Sequence, residues 1–197
     1  MTFKIILSVV IGIGSGYFFF DQSILPYTST IVDMGLCLLL LFVGIDIGRN
    51  KSAFNKIKNM GFKILLVPIM VMLGTLVGSC IGGFFLGLPV NESSAIGAGF
   101  GWYTLSSILL VDYSSELSAL AFISNVVREI MALILIPIVA KYMGDLEAIG
   151  PAGATAMDTS LPIISNSTNS KTSIIAFITG VIISSCVPIL VPILINM

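Results

Sequence analysis

Residues 2–20, 31–48, 62–86, 117–140 and 172–196 each run for at least 18 positions with at most two charged side chains. About 20 apolar residues carry a helix across the hydrocarbon of a bilayer, and only helices or closed barrels satisfy every backbone group there. The stretches are continuous and do not alternate, so helices are expected and a barrel is not. With 56% hydrophobic and 10% charged residues, the composition lies outside that of soluble domains. The sequence therefore predicts an all-α, polytopic membrane bundle with about five full spans, forming a single integral membrane domain over residues 1–197.

Charge placement orients the spans. Arg49, Lys51, Lys56, Lys58 and Lys63, five of the nine basic residues, fall between the second and third stretches. The positive-inside rule makes that loop cytoplasmic, together with Lys4 and the N-terminus. The first stretch has the basic start and apolar core of a signal peptide but ends in Tyr17-Phe18-Phe19-Phe20 rather than at a small-residue cleavage site, so a retained span is expected. A net charge of −1 and the absence of a basic patch argue against nucleic acid as a partner.

Two segments break the pattern. Residues 93–111 and 148–166 are only moderately apolar and rich in Gly, Ser, Thr and Pro, as broken or re-entrant segments are. If both dip in and return, Lys141 and Lys171 join the cytoplasmic side; if both cross, Lys141 lies outside. Either parity leaves the C-terminus external. The segments echo one another, Ala95-Ile96-Gly97-Ala98-Gly99 against Ala148-Ile149-Gly150-Pro151-Ala152-Gly153. Each follows a long span, so a repeat here would be inverted.

The first segment, GAGFGWYTLSS at 97–107, has two readings. In one, Gly97 and Gly101 let two helices approach closely, with Trp102 and Tyr103 in an interface belt. In the other, Gly99, Gly101, Trp102, Tyr103 and Ser106 line a permeation site. Mid-span, Asn125-Val126-Val127-Arg128-Glu129 places two charges where lipid contact would cost about 2.5–3.5 kcal/mol each. They must face protein or water. Glu129 shares a helix face with Asn125, and Arg128 with Ser124, so the pair forms either interhelical salt bridges or a transport site. Asp158 reads as a helix cap or as a ligand, and one residue can do both. Asp46 is placed at the membrane interface, Asp33 complements a helix dipole, and Asp112 and Glu116 belong to loops. With no histidine in the chain, proton exchange near neutral pH falls to a carboxylate shifted by its surroundings. Cys37, Cys80 and Cys186 are too dispersed for a disulfide framework or a metal site. No cofactor or metal is expected.

Four blocks in order, LLLFVGIDI at 39–47, GAGFGWYTLSSILLVD at 97–112, NVVREIMALILIP at 125–137 and GATAMDTSLPII at 153–164, resemble the LysO-type lysine exporters of bacteria. The resemblance implies a secondary transporter exporting L-lysine, and toxic analogues such as thialysine, across the cytoplasmic membrane. It also implies an additional N-terminal membrane portion that this chain lacks, supplied in some bacteria by a separate small membrane protein, which would then be a partner. A homo-oligomer is equally compatible. Lysine carries two ammonium groups and a carboxylate. Glu129 and Asp158 suit the cations, backbone near 97–101 and around Thr155 suits the anion, and Trp102 or Tyr103 offers a cation–π face. Exchange for a cation such as H⁺ would run through Glu129 and Asp158, with Arg128 beside them. The competing readings are a Na⁺-coupled carrier of an organic anion and a membrane subunit that works only with a partner chain. An enzyme is not expected, since the chain has neither a histidine base nor a G-x-S-x-G elbow.

Overall fold

The structure is a computed structural model that describes residues 61–197, together with Leu7, Ile11, Gly12, Gly14, Ser15, Gly16, Met34, Leu38, Leu41, Phe42 and Ile45, all helical. The first two expected spans, apart from those positions, and most of the basic loop with Asp33 and Asp46 lie outside the described residues. The described residues form helices joined by turns and short loops, with no strand among them. Three of these described helices are long and apolar enough to cross a membrane: α1 (Leu66–Leu86), α4 (Ser115–Tyr142) and α6 (Ser170–Ile195). They fall on the last three of the five expected spans.

Local chemistry sets their ends. Helix α1 stops at Gly87, whose φ of 74° is open to glycine. Pro89 follows and starts α2 (Val90–Gly97), which has no room to run on from α1. Ser114 caps α4 by accepting the Leu117 N–H through its hydroxyl oxygen. Asn169 caps α6 by accepting from Thr172.

Both irregular segments return to the end from which they enter. Helix α2 has 8 residues and α3 (Tyr103–Val111) has 9; at about 1.5 Å per residue neither spans even half of a ~30 Å hydrocarbon layer by much. Asn91, at the start of α2, donates to the Ile195 carbonyl at the far end of α6 (3.3 Å). Near the end of α3, the Ser107 carbonyl accepts from Ser118 in the first turns of α4 (2.8 Å). Since Leu120 and Ser124 of α4 face Gly82 and Gly78 of α1 across one groove, α1 ends, α2 starts, α3 ends and α4 starts at the same end. The chain between α4 and α6 mirrors this. It leaves α4, forms 3-10 turns at Glu147–Ile149 and Gly153–Met157, and comes back through α5 (Leu161–Ser167) to α6. Its two mouths are tied by an Asn169 to Asp145 hydrogen bond.

The result is two hairpins that enter from opposite ends of the bundle. A span plus a returning hairpin, α1 with the first and α4 with the second, repeats with inverted sense, the arrangement the paired sequence echoes suggest. Those echoes lie on the inward arms, each leading to its hairpin tip. Close approach of α1 and α2 depends on small residues, Gly83 meeting Ser93 and Gly97 meeting Ser79. The packing role considered for Gly97 is therefore met. Gly101 is different: it lies in the turn, with φ of 103°.

Candidate functional site

At the first tip the helix breaks over residues 98–102. The Phe100 N–H donates back to Gly97 (3.0 Å) and the Trp102 N–H to Gly99 (2.7 Å). Phe100, fully buried, takes a φ of 49°, a left-handed backbone that a bulky residue rarely adopts. In this turn the Gly101 N–H is met by the side chain of Asn125 on α4, whose Oδ1 accepts it at 2.7 Å. Asn125 Nδ2 donates to the carbonyls of Ile96 (3.2 Å) and Ala121 (2.9 Å) and to the Ser106 hydroxyl (3.4 Å). A Cβ at Gly99 would lie 2.5 Å from that nitrogen. Asn125, Gly99 and Ser106 thus form the inner bracing of the first tip and do not line the cavity described below. Asn125→Ala should strand the buried Gly101 N–H at a cost of about 1–3 kcal/mol, and melting in detergent should move down accordingly.

The second tip rests on the first. The Ala154 N–H donates to the Phe100 carbonyl at 2.9 Å, one backbone hydrogen bond joining the two hairpins. Arg128 holds this tip from α4. Its Nη1 donates to the Thr75 hydroxyl on α1 (3.0 Å), and its Nε and Nη2 to the Pro151 and Gly150 carbonyls (both 3.4 Å). Among the described residues the guanidinium meets neutral oxygens and no carboxylate, and it does not line the cavity described below. It ties α1 to the second hairpin. From below, α6 comes close at Gly180, where a Cβ would sit 2.9 Å from the Ala154 carbonyl oxygen.

Where the tips meet, a cavity of about 260 Å³ is lined by Gly101, Trp102, Tyr103 and Thr104 of the first hairpin, Ala154 to Thr159 without Ala156 from the second, Glu129 of α4 and Ser184 of α6. Its size is below the ~300 Å³ at which drug-sized pockets begin. It suits a small solute. Two carboxylates from different elements converge here, and Thr159 joins them. The Thr159 hydroxyl donates to Glu129 Oε1 at 2.6 Å, and its backbone N–H donates to Asp158 Oδ1 at 2.6 Å. No basic side chain lines the cavity among the described residues.

Six of the residues expected at a site therefore come together: Glu129, Asp158, Gly101, Trp102, Tyr103 and Thr155. The Thr155 hydroxyl is engaged with the Ala152 carbonyl (2.9 Å) and Ser160 (2.8 Å). Tyr103 stands edge-on to Phe122 of α4, with centroids 5.4 Å apart. Asp158 does not cap α5, which begins at Leu161 with no side-chain cap; its carboxylate lines the cavity. Thr104, Met157, Thr159 and Ser184 were not foreseen. Thr159 was within reach, as the hydroxyl beside the only acid of its segment; Ser184 was not, since nothing marks it within an apolar span.

Opposed re-entrant hairpins around an acid-lined cavity define a polytopic α-helical membrane protein. The family model described as Lysine exporter LysO matches residues 6–195, and the chain belongs to that family. It is 33% identical over 184 residues to the Lysine exporter LysO of Escherichia coli, covering 93% of this chain and 60% of that protein. To a Haemophilus influenzae protein named "Putative lysine exporter" it is 32% identical over 188 residues, covering 95% of this chain and 94% of that one. No solved structure matches the chain.

Proposed function

We propose that this chain exports L-lysine across the bacterial cytoplasmic membrane in exchange for a cation such as H⁺. The observation that carries the proposal is the convergence of Glu129 and Asp158 on one small cavity between two opposed hairpin tips. An acid-lined site without a facing base favours a cation. An ammonium group placed there replaces, with fixed partners, the water it loses on entering the membrane. The first turn of α3, at Thr104, offers backbone N–H groups to the carboxylate of the same solute. Trp102 and Tyr103 supply aromatic faces beside it. A carboxylate that holds either a proton or an ammonium, but not both, couples the two fluxes by competition. Arg128 contributes by holding the second tip. Toxic analogues with the same charged groups, such as thialysine, would enter by the same contacts.

The chain spans 60% of the Escherichia coli protein but 94% of the Haemophilus influenzae one, so a chain of about this length carries the exporter name elsewhere. We assign the transport step to this polypeptide. Purified chain in liposomes loaded with labelled lysine tests it: efflux driven by an inward proton gradient is expected. No efflux from the chain alone, with efflux restored by a second membrane subunit, would assign it to a two-chain transporter.

The end of the bundle where α1 begins holds Lys141 and Lys171 together with Asp145 and Glu147, whereas the opposite end, with Glu92, Asp112 and Glu116, has no Lys or Arg among the described residues. We place the first end in the cytoplasm on that asymmetry, with the C-terminus external. In a background lacking the native cysteines, Met197→Cys should react with an impermeant reagent from outside and Lys141→Cys only from inside. The reverse pattern would invert the assignment.

A further inference from the structure

The cavity holds one residue that touches both acids, and its role goes beyond lining. Thr159 has a single hydroxyl hydrogen. That oxygen lies 2.6 Å from Glu129 Oε1 and 3.4 Å from Asp158 Oδ1. The nearer distance is that of a short, charge-assisted bond, and the farther is at the edge of bonding. The hydroxyl therefore serves Glu129, while the backbone N–H of the same residue serves Asp158 at 2.6 Å. Glu129 belongs to a continuous 28-residue helix. Asp158 ends a 3-10 turn with φ of −133° and ψ of −97°, and α5 does not begin until Leu161. Arg128 holds residues 150 and 151 to the helix that carries Glu129, and the Thr159 hydroxyl makes the hydrogen bond by which residues 157–160 reach that helix.

We propose that Thr159 is the positioning residue of the site: through its hydroxyl it clamps the second hairpin to Glu129, fixing the two carboxylates at a separation one cation can bridge. This rests on the cavity being the solute site. A carboxylate oxygen can accept from the hydroxyl and from a solute ammonium together, so the clamp persists while it presents both acids to the solute.

Two measurements test the clamp. The first is hydrogen exchange of residues 155–160 in purified protein without solute. Thr159→Val removes the hydroxyl at nearly constant shape, and Glu129→Ala removes its acceptor. Each should speed exchange of this segment, and the double variant should be no faster than either single one, because the two act through one bond. Thr159→Ser should match wild type. Unchanged exchange in Thr159→Val, a further increase in the double variant, or a Thr159→Ser protein as fast as Thr159→Val would each overturn the clamp.

The second is lysine titration followed by the fluorescence of Trp102, the single tryptophan of the chain, which lines the cavity. Loss of a hydrogen bond to a charged group should weaken lysine binding by about tenfold or more in Thr159→Val, with Thr159→Ser within about twofold of wild type. Equal affinity in Thr159→Val and wild type overturns the proposal. If wild type itself gives no lysine response, the solute reading fails by that result, and the exchange measurement still decides the clamp.

Discussion

Glu129→Gln is expected to accumulate in the membrane at wild-type levels and to export lysine at background. The fold should tolerate the change because glutamine keeps the size of the side chain and an oxygen that can accept the Thr159 hydroxyl hydrogen, which Glu129 accepts at 2.6 Å. What disappears is the negative charge and the ability to exchange a proton for an ammonium. Loss of one charge from a desolvated, hydrogen-bonded charge pair, here carboxylate and solute ammonium, costs about 2–5 kcal/mol, so export per molecule should fall by roughly 30- to 5,000-fold. Efflux of labelled lysine, normalised to protein in the membrane, checks it. A variant that fails to accumulate while its surviving molecules export normally would make Glu129 a structural residue and pass the coupling role to Asp158.

The second large effect is expected at Gly153. Its φ of 61° is a conformation that side chains rarely adopt, and a Cβ there would lie 2.5 Å from the Phe100 carbonyl oxygen and 2.8 Å from Arg128 Nη2. Neither neighbour can yield freely. The carbonyl accepts the single hydrogen bond between the hairpins, and the guanidinium is held by Gly150, Pro151 and Thr75. Gly153→Ala combines backbone strain with overpacking and should cost about 2–4 kcal/mol. In detergent this should appear as a clearly lowered melting temperature, accompanied by loss of export, because the tips can no longer meet. A Gly153→Ala protein that melts and exports like wild type would show that the crossing of the tips is not needed. By contrast, a Cβ at Gly78 would meet no described residue within 4 Å, and Gly78→Ala should leave both properties nearly unchanged.

Much of the layout was legible before any coordinates. Residues 62–86, 117–140 and 172–196 read as spans and fold as α1, α4 and α6, because backbone polar groups in hydrocarbon have few partners except their own helix. The two Gly, Ser, Thr and Pro-rich segments read as broken for the same reason, and they are broken. Within the first, however, the irregular backbone is confined to residues 98–102, and residues 103–107, expected to depart from helix as well, lie in regular α3. Side-chain composition marked the region but not the turn. The turn is placed by Asn125, which accepts the one N–H the bend leaves over.

The NVVRE block shows the boundary most clearly. Sequence alone established that Asn125, Arg128 and Glu129 could not face lipid, since the cost of an unsatisfied amide or charge does not depend on the fold. It could not assign their partners. Successive helix positions differ by about 100°, so which of three polar neighbours meets a hairpin and which meets a cavity depends on what packs against each face. In the folded protein Asn125 braces the first tip, Arg128 the second, and only Glu129 reaches the cavity. Whether the irregular segments crossed or returned was likewise open, because both choices satisfy the same hydropathy and parity; contacts between Asn91 and Ile195 and between Ser107 and Ser118 decide for return. The sequence marks Thr159 only by its place beside Asp158, and its partner across the site belongs to this second category. The place of the threonine between two carboxylates arises only when a helix 30 positions earlier in the chain comes within 2.6 Å of it.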